Sequence, residues 1–109
     1  MKTQQVTLTT SITCGATALA KRLACTVAGV LPAAGAWIAG VVEADTDPGQ
    51  QAPVNVSGLM LGTAGAAITA GAEVEATAAG KFITKDSGIA VGRAWDAAAA
   101  DGDVIRILR

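Results

Sequence analysis

RAWDAAAADGDVIRILR, residues 93–109, closes the chain, and its reading decides the fold. Four alanines (97–100) stand among three aspartates, Asp96, Asp101 and Asp103. A short helix, an acidic metal loop and a link between two strands all fit such a string. Alanine has the best helix propensity, yet a four-residue run is far below the ~12–15 residues at which an isolated helix holds in water. A calcium loop needs oxygen ligands at alternate positions and a closing glutamate, and alanines occupy those positions here. The aspartates therefore read as turn residues bonding nearby backbone N–H groups. The stretch becomes a strand carrying Trp95, an alanine link with at most a helical turn, an Asp-Gly-Asp turn and a closing strand, VIRIL (104–108). Alternation there sets Ile105 and Ile107 against Val104, Arg106 and Leu108, with Arg106 on the less buried face or at an interface.

The same grammar runs through the chain. VTLTTSIT (6–13), RLACTVAGVL (22–31, ended by Pro32), WIAGVVEA (37–44) and VNVSGLML (54–61) read as strands. GAEVEATAAGKFIT (71–84) reads as two short strands joined at Ala79-Gly80, and IAVGRAW (89–95) as another. Asp-Pro-Gly (47–49) is a strong turn signal, since Pro fixes φ and Gly accepts positive φ. Short strands punctuated by Gly, Pro and Asp predict an all-β domain, a small barrel or sandwich. WIAGVVEADTDPGQQAPVNV (37–56) resembles GIAVGRAWDAAAADGDVIRI (88–107) once a one-residue gap is allowed, which fits either a structural echo or the biased composition alone. Both run Ile-Ala, a glycine, an Ala/Asp cluster, a turn glycine (Gly49, Gly102) and a V-x-V or I-x-I end.

The 109 residues fit one domain. Hydrophobic residues make up 51% of the chain but aromatics only 3%, so alanine supplies much of the apolar share. Hydrophobic stabilisation scales with buried area, so the core is thin and assembly with other chains would add stability. The net charge of -1, with a single adjacent basic pair, Lys21-Arg22, argues against nucleic-acid binding. No signal peptide is evident in MKTQQVTLTTS. The longest apolar stretch (28–42) is too short and too broken by Pro32 and glycines to span a membrane. Cys14 and Cys25 show no CxxC pattern, and without a secretory signal a disulfide between them is allowed but not favoured.

Catalytic and ligand chemistry finds little support. The chain has no histidine, which excludes Ser-His-Asp and Cys-His arrangements. Glu73 and Glu75, two apart on one strand, read as its solvated face, with Val74 inward. Asp45 and Asp47 read as turn residues like Asp96, Asp101 and Asp103. Gly58, Gly62 and Gly65 match no phosphate-binding loop. Lys81 at a hairpin tip is where a lipoyl- or biotinyl-carrier domain presents its prosthetic group, though its flanks match neither motif. Trp37, Phe82 and Trp95 are the aromatics a carbohydrate-binding surface module would use, and otherwise belong to the core. No enzyme activity, cofactor or metal is expected.

From residue 12 to residue 109 an ordered series resembles the small phage capsid cement (head decoration) proteins. It comprises ITCGA, then IAGVVEADTDPGQQAPVNVSGLML, AGAAITAGAEVEATAAGKFIT and IAVGRAWDAAAADGDVIRILR. The resemblance implies a non-enzymatic virion protein, made in the host cytoplasm, that sits on the capsid exterior, often as a homotrimer. There it would clamp neighbouring major capsid subunits. It also implies a compact β-fold, β-tulip-like in some relatives, and an N-terminal arm that orders on the capsid. Residues 1–12 fit such an arm, or else a first strand, ahead of a compact β-domain at 13–109. Val6, Leu8 and Ile12 are its candidate capsid contacts. The alternatives are a carrier modified on Lys81 or a ligand-binding phage surface module.

Overall fold

Alternating β-branched residues produce the two longest strands, and they pair with each other. The computed structural model describes residues 2–109 and contains eight strands and no helix among them. These are β1 (Gln5–Thr13), β2 (Ala24–Cys25), β3 (Gly40–Val42), β4 (Gln51–Thr63), β5 (Glu73–Ala76), β6 (Phe82–Thr84), β7 (Gly92–Ala94) and β8 (Val104–Leu108). All join one sheet in the order β2-β3-β4-β8-β7-β5-β6, with β1 added to β4, and every named pair is antiparallel. The sheet curls into a nearly closed barrel, so the all-β expectation holds.

The similarity between 37–56 and 88–107 proves to be one visible part of a repeated framework. Thr13 faces Gln51 and Ile12 faces Ala52 in the first half; Thr63 faces Val104 and Gly62 faces Ile105 in the second. Beyond each first strand, a link residue exchanges both backbone bonds with its partner. Leu19 and Thr46 do so at 3.0 and 2.8 Å, Ile68 and Ala98 at 3.0 and 2.9 Å. Each returning turn is tied alike: Cys14 donates its N–H to the Gln50 carbonyl and accepts the Gly49 N–H on its own carbonyl, as Ala64 does with Asp103 and Gly102. Gly49 and Gly102 both adopt positive φ, 82° and 92°, as the turn demands. Cys25 then pairs with Gly40, and Val74 with Gly92. A Cβ on Gly40 would collide with the Asn55 carbonyl and the Val54 side chain; one on Gly92 would meet the equivalent Leu108 carbonyl and Ile107 side chain at 2.8 Å each.

Corresponding side chains fill corresponding cores. The first half buries Cys14, Leu19, Cys25, Val42, Ala52 and Val54, with Ile12 packed against them. The second buries Ala64, Ile68, Val74, Ala94, Ile105 and Ile107 within a larger cluster. At the position of Ile12 the second half has Gly62, and Phe82 occupies the space: a Cβ on Gly62 would lie 2.8 Å from Phe82 Cε2. Phe82 is fully buried and is the largest side chain in the core.

Two local expectations are corrected and a third is met. The strand read at 22–31 shrinks to Ala24–Cys25, because Thr26 N–H bonds Val30 and Gly29 N–H bonds Thr26, turning the chain into a tight hairpin tip. The alanine link at 97–100 holds no helical turn; Ala98 bridges Ile68, so tertiary pairing overrides propensity. The two strands expected within 71–84 are β5 and β6, joined by a second tip that ends at Lys81, with Thr77 N–H on the Lys81 carbonyl and Gly80 N–H on the Thr77 carbonyl.

Gly62→Val alone should destabilise the domain by about 1–3 kcal/mol through overpacking against Phe82. Phe82→Ala alone should cost about 3–5 kcal/mol. The two combined should cost clearly less than their sum in urea titration, because the new side chain fills the vacated space as Ile12 does in the first half. Additive losses would show that the two sites do not share one volume.

Candidate functional site

The described residues enclose no pocket, so what the chain presents is surface. The acidic residues that open the question of chemistry are engaged separately. Asp96 accepts three bonds from Arg106: its backbone N–H at 3.0 Å, Nε at 2.9 Å and Nη2 at 2.8 Å. This bidentate grip holds the Asp96 carboxyl at about 2, against an ordinary 3.8, chiefly through the side-chain hydrogen bonds. The same pairing raises Arg106. Asp101 pairs with Lys81 Nζ at 2.9 Å, and Asp103 accepts the N–H groups of Ala99 and Ala100 at 2.8 and 3.2 Å. Asp45 accepts the Lys21 N–H at 2.8 Å. Lys81 therefore does not project freely from its hairpin.

Glu73 and Glu75 part company. Glu73 is exposed, 3.5 Å from Arg93 Nη2. Glu75, expected on the solvated face, is only 7% exposed and accepts the N–H groups of Asp86 and Gly88 at 2.6 and 3.2 Å. The loop between β6 and β7 folds over β5 and turns this carboxylate into a latch. Trp37 and Trp95 are exposed rather than core residues, whereas Phe82 is buried. Cys14 and Cys25 are buried free thiols, and burial followed by the nearby Cys14 pushes Cys25 up to about 11.

The candidate interface is β1. It touches the sheet through β4 alone, and most of its residues are exposed. Its hydroxyls knit it to β4: Thr7 Oγ1 and Ser57 Oγ lie 2.8 Å apart, Thr9 Oγ1 donates to Asn55 Oδ1 at 2.9 Å, and Gln51 Nε2 donates to Thr13 Oγ1 at 2.7 Å. Of the three residues singled out by sequence, Val6 and Ile12 are half-buried and pack against the two cores. Leu8 follows an irregularity in pairing between Val6 and Leu8 and is 52% exposed.

Two contributors carry no clear sequence signal. The Gln4 amide clasps β1 in place, donating to Glu43 at 2.7 Å and accepting the Leu61 N–H at 3.1 Å. Arg109, the last residue, exchanges backbone bonds with Gly58 and donates from its guanidinium to the Ile38 and Ala39 carbonyls. Burial lowers the Arg109 pKa from its ordinary value.

A family model described as Phage cement protein matches residues 1–109, the whole chain. No curated protein matches it.

Because the Asp96 carboxyl titrates lower when folded, its stabilising effect is complete above about pH 4 and is lost as pH falls through about 2. Asp96→Asn should be less stable than the parent at neutral pH, and the gap should close toward pH 2. Urea midpoints across that range check this; a gap independent of pH would show that the ion pair is not its source.

Proposed function

The chain belongs to the phage cement protein family, structural virion proteins associated with the phage capsid, and we infer that it binds the outside of the head and stabilises contacts between major capsid subunits. It acts by binding, without catalysis, cofactor or metal, after synthesis in the host cytoplasm. The observation that carries the mechanism is β1: an uncharged strand with one neighbour, whose outer edge keeps unshared backbone groups. Such an edge accepts an extended segment by β-augmentation, in which main-chain bonds supply affinity and alternate side chains supply selectivity.

Residues 1–12 are accordingly the arm that engages the capsid. Val6 and Ile12 anchor that arm to the domain, and Leu8 is the side chain open to the major capsid protein. A homotrimer is the assembly favoured on the head. The small core of the first half fits a protomer that gains stability from its neighbours.

Leu8→Asp places a charge on an exposed side chain, so folding stability should change by no more than ~0.5 kcal/mol. Binding to expanded heads that lack the protein should weaken by roughly tenfold or more, read by co-sedimentation. If the variant decorates heads as well as the parent does, β1 is not the contact.

A further inference from the structure

We propose that the segment of the major capsid protein that joins β1 is read through the main chain of Thr9 and Ser11 alone. That segment is a short extended stretch with a free N–H at the two positions facing them. The proposal rests on the capsid reading above and names the part of β1 that does the recognising.

The ladder decides which backbone groups of β1 point away from the domain. Glu43 N–H bonds the Pro53 carbonyl and Val41 stands opposite Asn55, so Pro53 and Asn55 face β3. Backbone groups alternate in direction along a strand, so Ala52 and Val54 face β1, where they meet Ile12 and Thr10. Cys14 keeps the same sense, with its N–H on the Gln50 carbonyl. Thr9, Ser11 and Thr13 therefore turn their N–H and C=O groups outward.

This row is closed at both ends. A Cβ on Gly29 would collide with the Thr13 carbonyl, so the tip at 26–30 lies against the edge there. At the other end, the pairing irregularities on either side of Leu8 break the alternation. Thr9 and Ser11 remain, both exposed, and among the described residues nothing beyond the ladder bonds their backbone groups.

The second half shows what this edge takes when it is covered. Gly62 stands where Ile12 does, which makes Leu59, Leu61 and Thr63 the counterparts of Thr9, Ser11 and Thr13. Arg106 gives its carbonyl to Trp95, so Ile105 and Ile107 face β4 and meet Gly62 and Met60. The three counterparts accordingly face away from β8, and each is met by the first half. Gln5 stands opposite Leu59, the Gln4 amide oxygen accepts the Leu61 N–H at 3.1 Å, and the Arg22 carbonyl accepts the Thr63 N–H at 3.0 Å. An extended run, Gln4-Gln5, supplies two of these three contacts. The cover of the second half thus comes from outside that half. For the first half, the equivalent run comes from outside the chain.

The chemistry of the edge selects an extended main chain. Two N–H donors and two carbonyl acceptors repeat about 7 Å apart in the plane of the sheet, the spacing of a strand's own groups. Proline facing either residue would lack the donor that the edge needs. Edges that must stay free are normally blunted by lysine, proline or an inward charge, and residues 9–13 carry none of these.

Amide hydrogen exchange resolved to single residues, on the full chain free and bound to expanded heads, tests this. Thr10 and Ile12, bonded to β4, should exchange slowly in both states. Thr9 and Ser11 should exchange fast in the free chain and roughly tenfold or more slowly on heads. Ser11→Pro removes one outward N–H without touching a bond to β4, a change that an edge strand accepts. It should melt as the parent does and bind heads roughly tenfold more weakly; should it misfold, exchange in the parent still decides. Thr9 and Ser11 amides that stay fast on decorated heads overturn the proposal and leave the capsid reading intact. Protection of both in the free chain, rising with its concentration, overturns it by giving the edge to a second copy. A folded Ser11→Pro chain that decorates as tightly as the parent overturns it likewise. A parent that does not decorate heads removes the capsid reading and this proposal together.

Discussion

The register of β4 is the constraint on which the rest of the structure depends. Its thirteen residues carry β1 along one edge and β3, then β8, along the other. The first half of the chain uses β4 as its last strand and the second half uses it as its first. A slip of one residue would turn Ala52, Val54 and Met60 outward together and empty both cores. Gly58 marks the changeover between β3 and β8: its φ is 107°, it sits opposite Val6, and it exchanges backbone bonds with Arg109. A Cβ there would lie 2.5 Å from the Gln5 carbonyl, so only glycine lets the strand change neighbours.

Two small cores follow from that shared strand. In the first, Ile12 fills the volume above β4 from the strand itself; in the second, Phe82 fills it from a hairpin. Gly15 and Gly65, which follow the equivalent Cys14 and Ala64, donate their N–H groups to Gly29 and Phe82, so a glycine stands in the first half where Phe82 stands in the second. The volume filled from the strand in one half is filled from the hairpin in the other, and the two exchanges compensate each other.

Period-two alternation and turn glycines made most strands legible, because those signals are local. The similarity of 37–56 to 88–107 was legible for the same reason: Gly40 and Gly92, Gly49 and Gly102 are demanded by backbone approach and by φ, leaving a mark at fixed spacing. Links and latches were not legible. The run at 97–100 looks helical by propensity, but Ala98 bonds Ile68, thirty residues earlier in sequence. Glu75 has the alternation of a solvated residue and is covered by a loop that only the tertiary fold brings back. Gln4 and Arg109 act through bonds to distant carbonyls and amides, for which no pattern of residue types exists. At the candidate site, apolar Val6, Leu8 and Ile12 were identifiable, but which of them faces out depends on the pairing irregularity beside Thr7.

Charge separates the two halves more sharply than sequence similarity joins them. Among the described residues, the ion pairs are Lys81–Asp101, Glu73–Arg93 and Asp96–Arg106, and all three lie in the second half. Pairs of this kind are worth little as surface contacts, but they occupy the exterior and make it costly to dry. The first half has its edge strand of threonines and its uncharged loop at 26–39, neither of which must give up an ion pair on contact. With the same framework built twice, desolvation cost is what distinguishes the two surfaces. The half without ion pairs is the one whose surface costs less to dry.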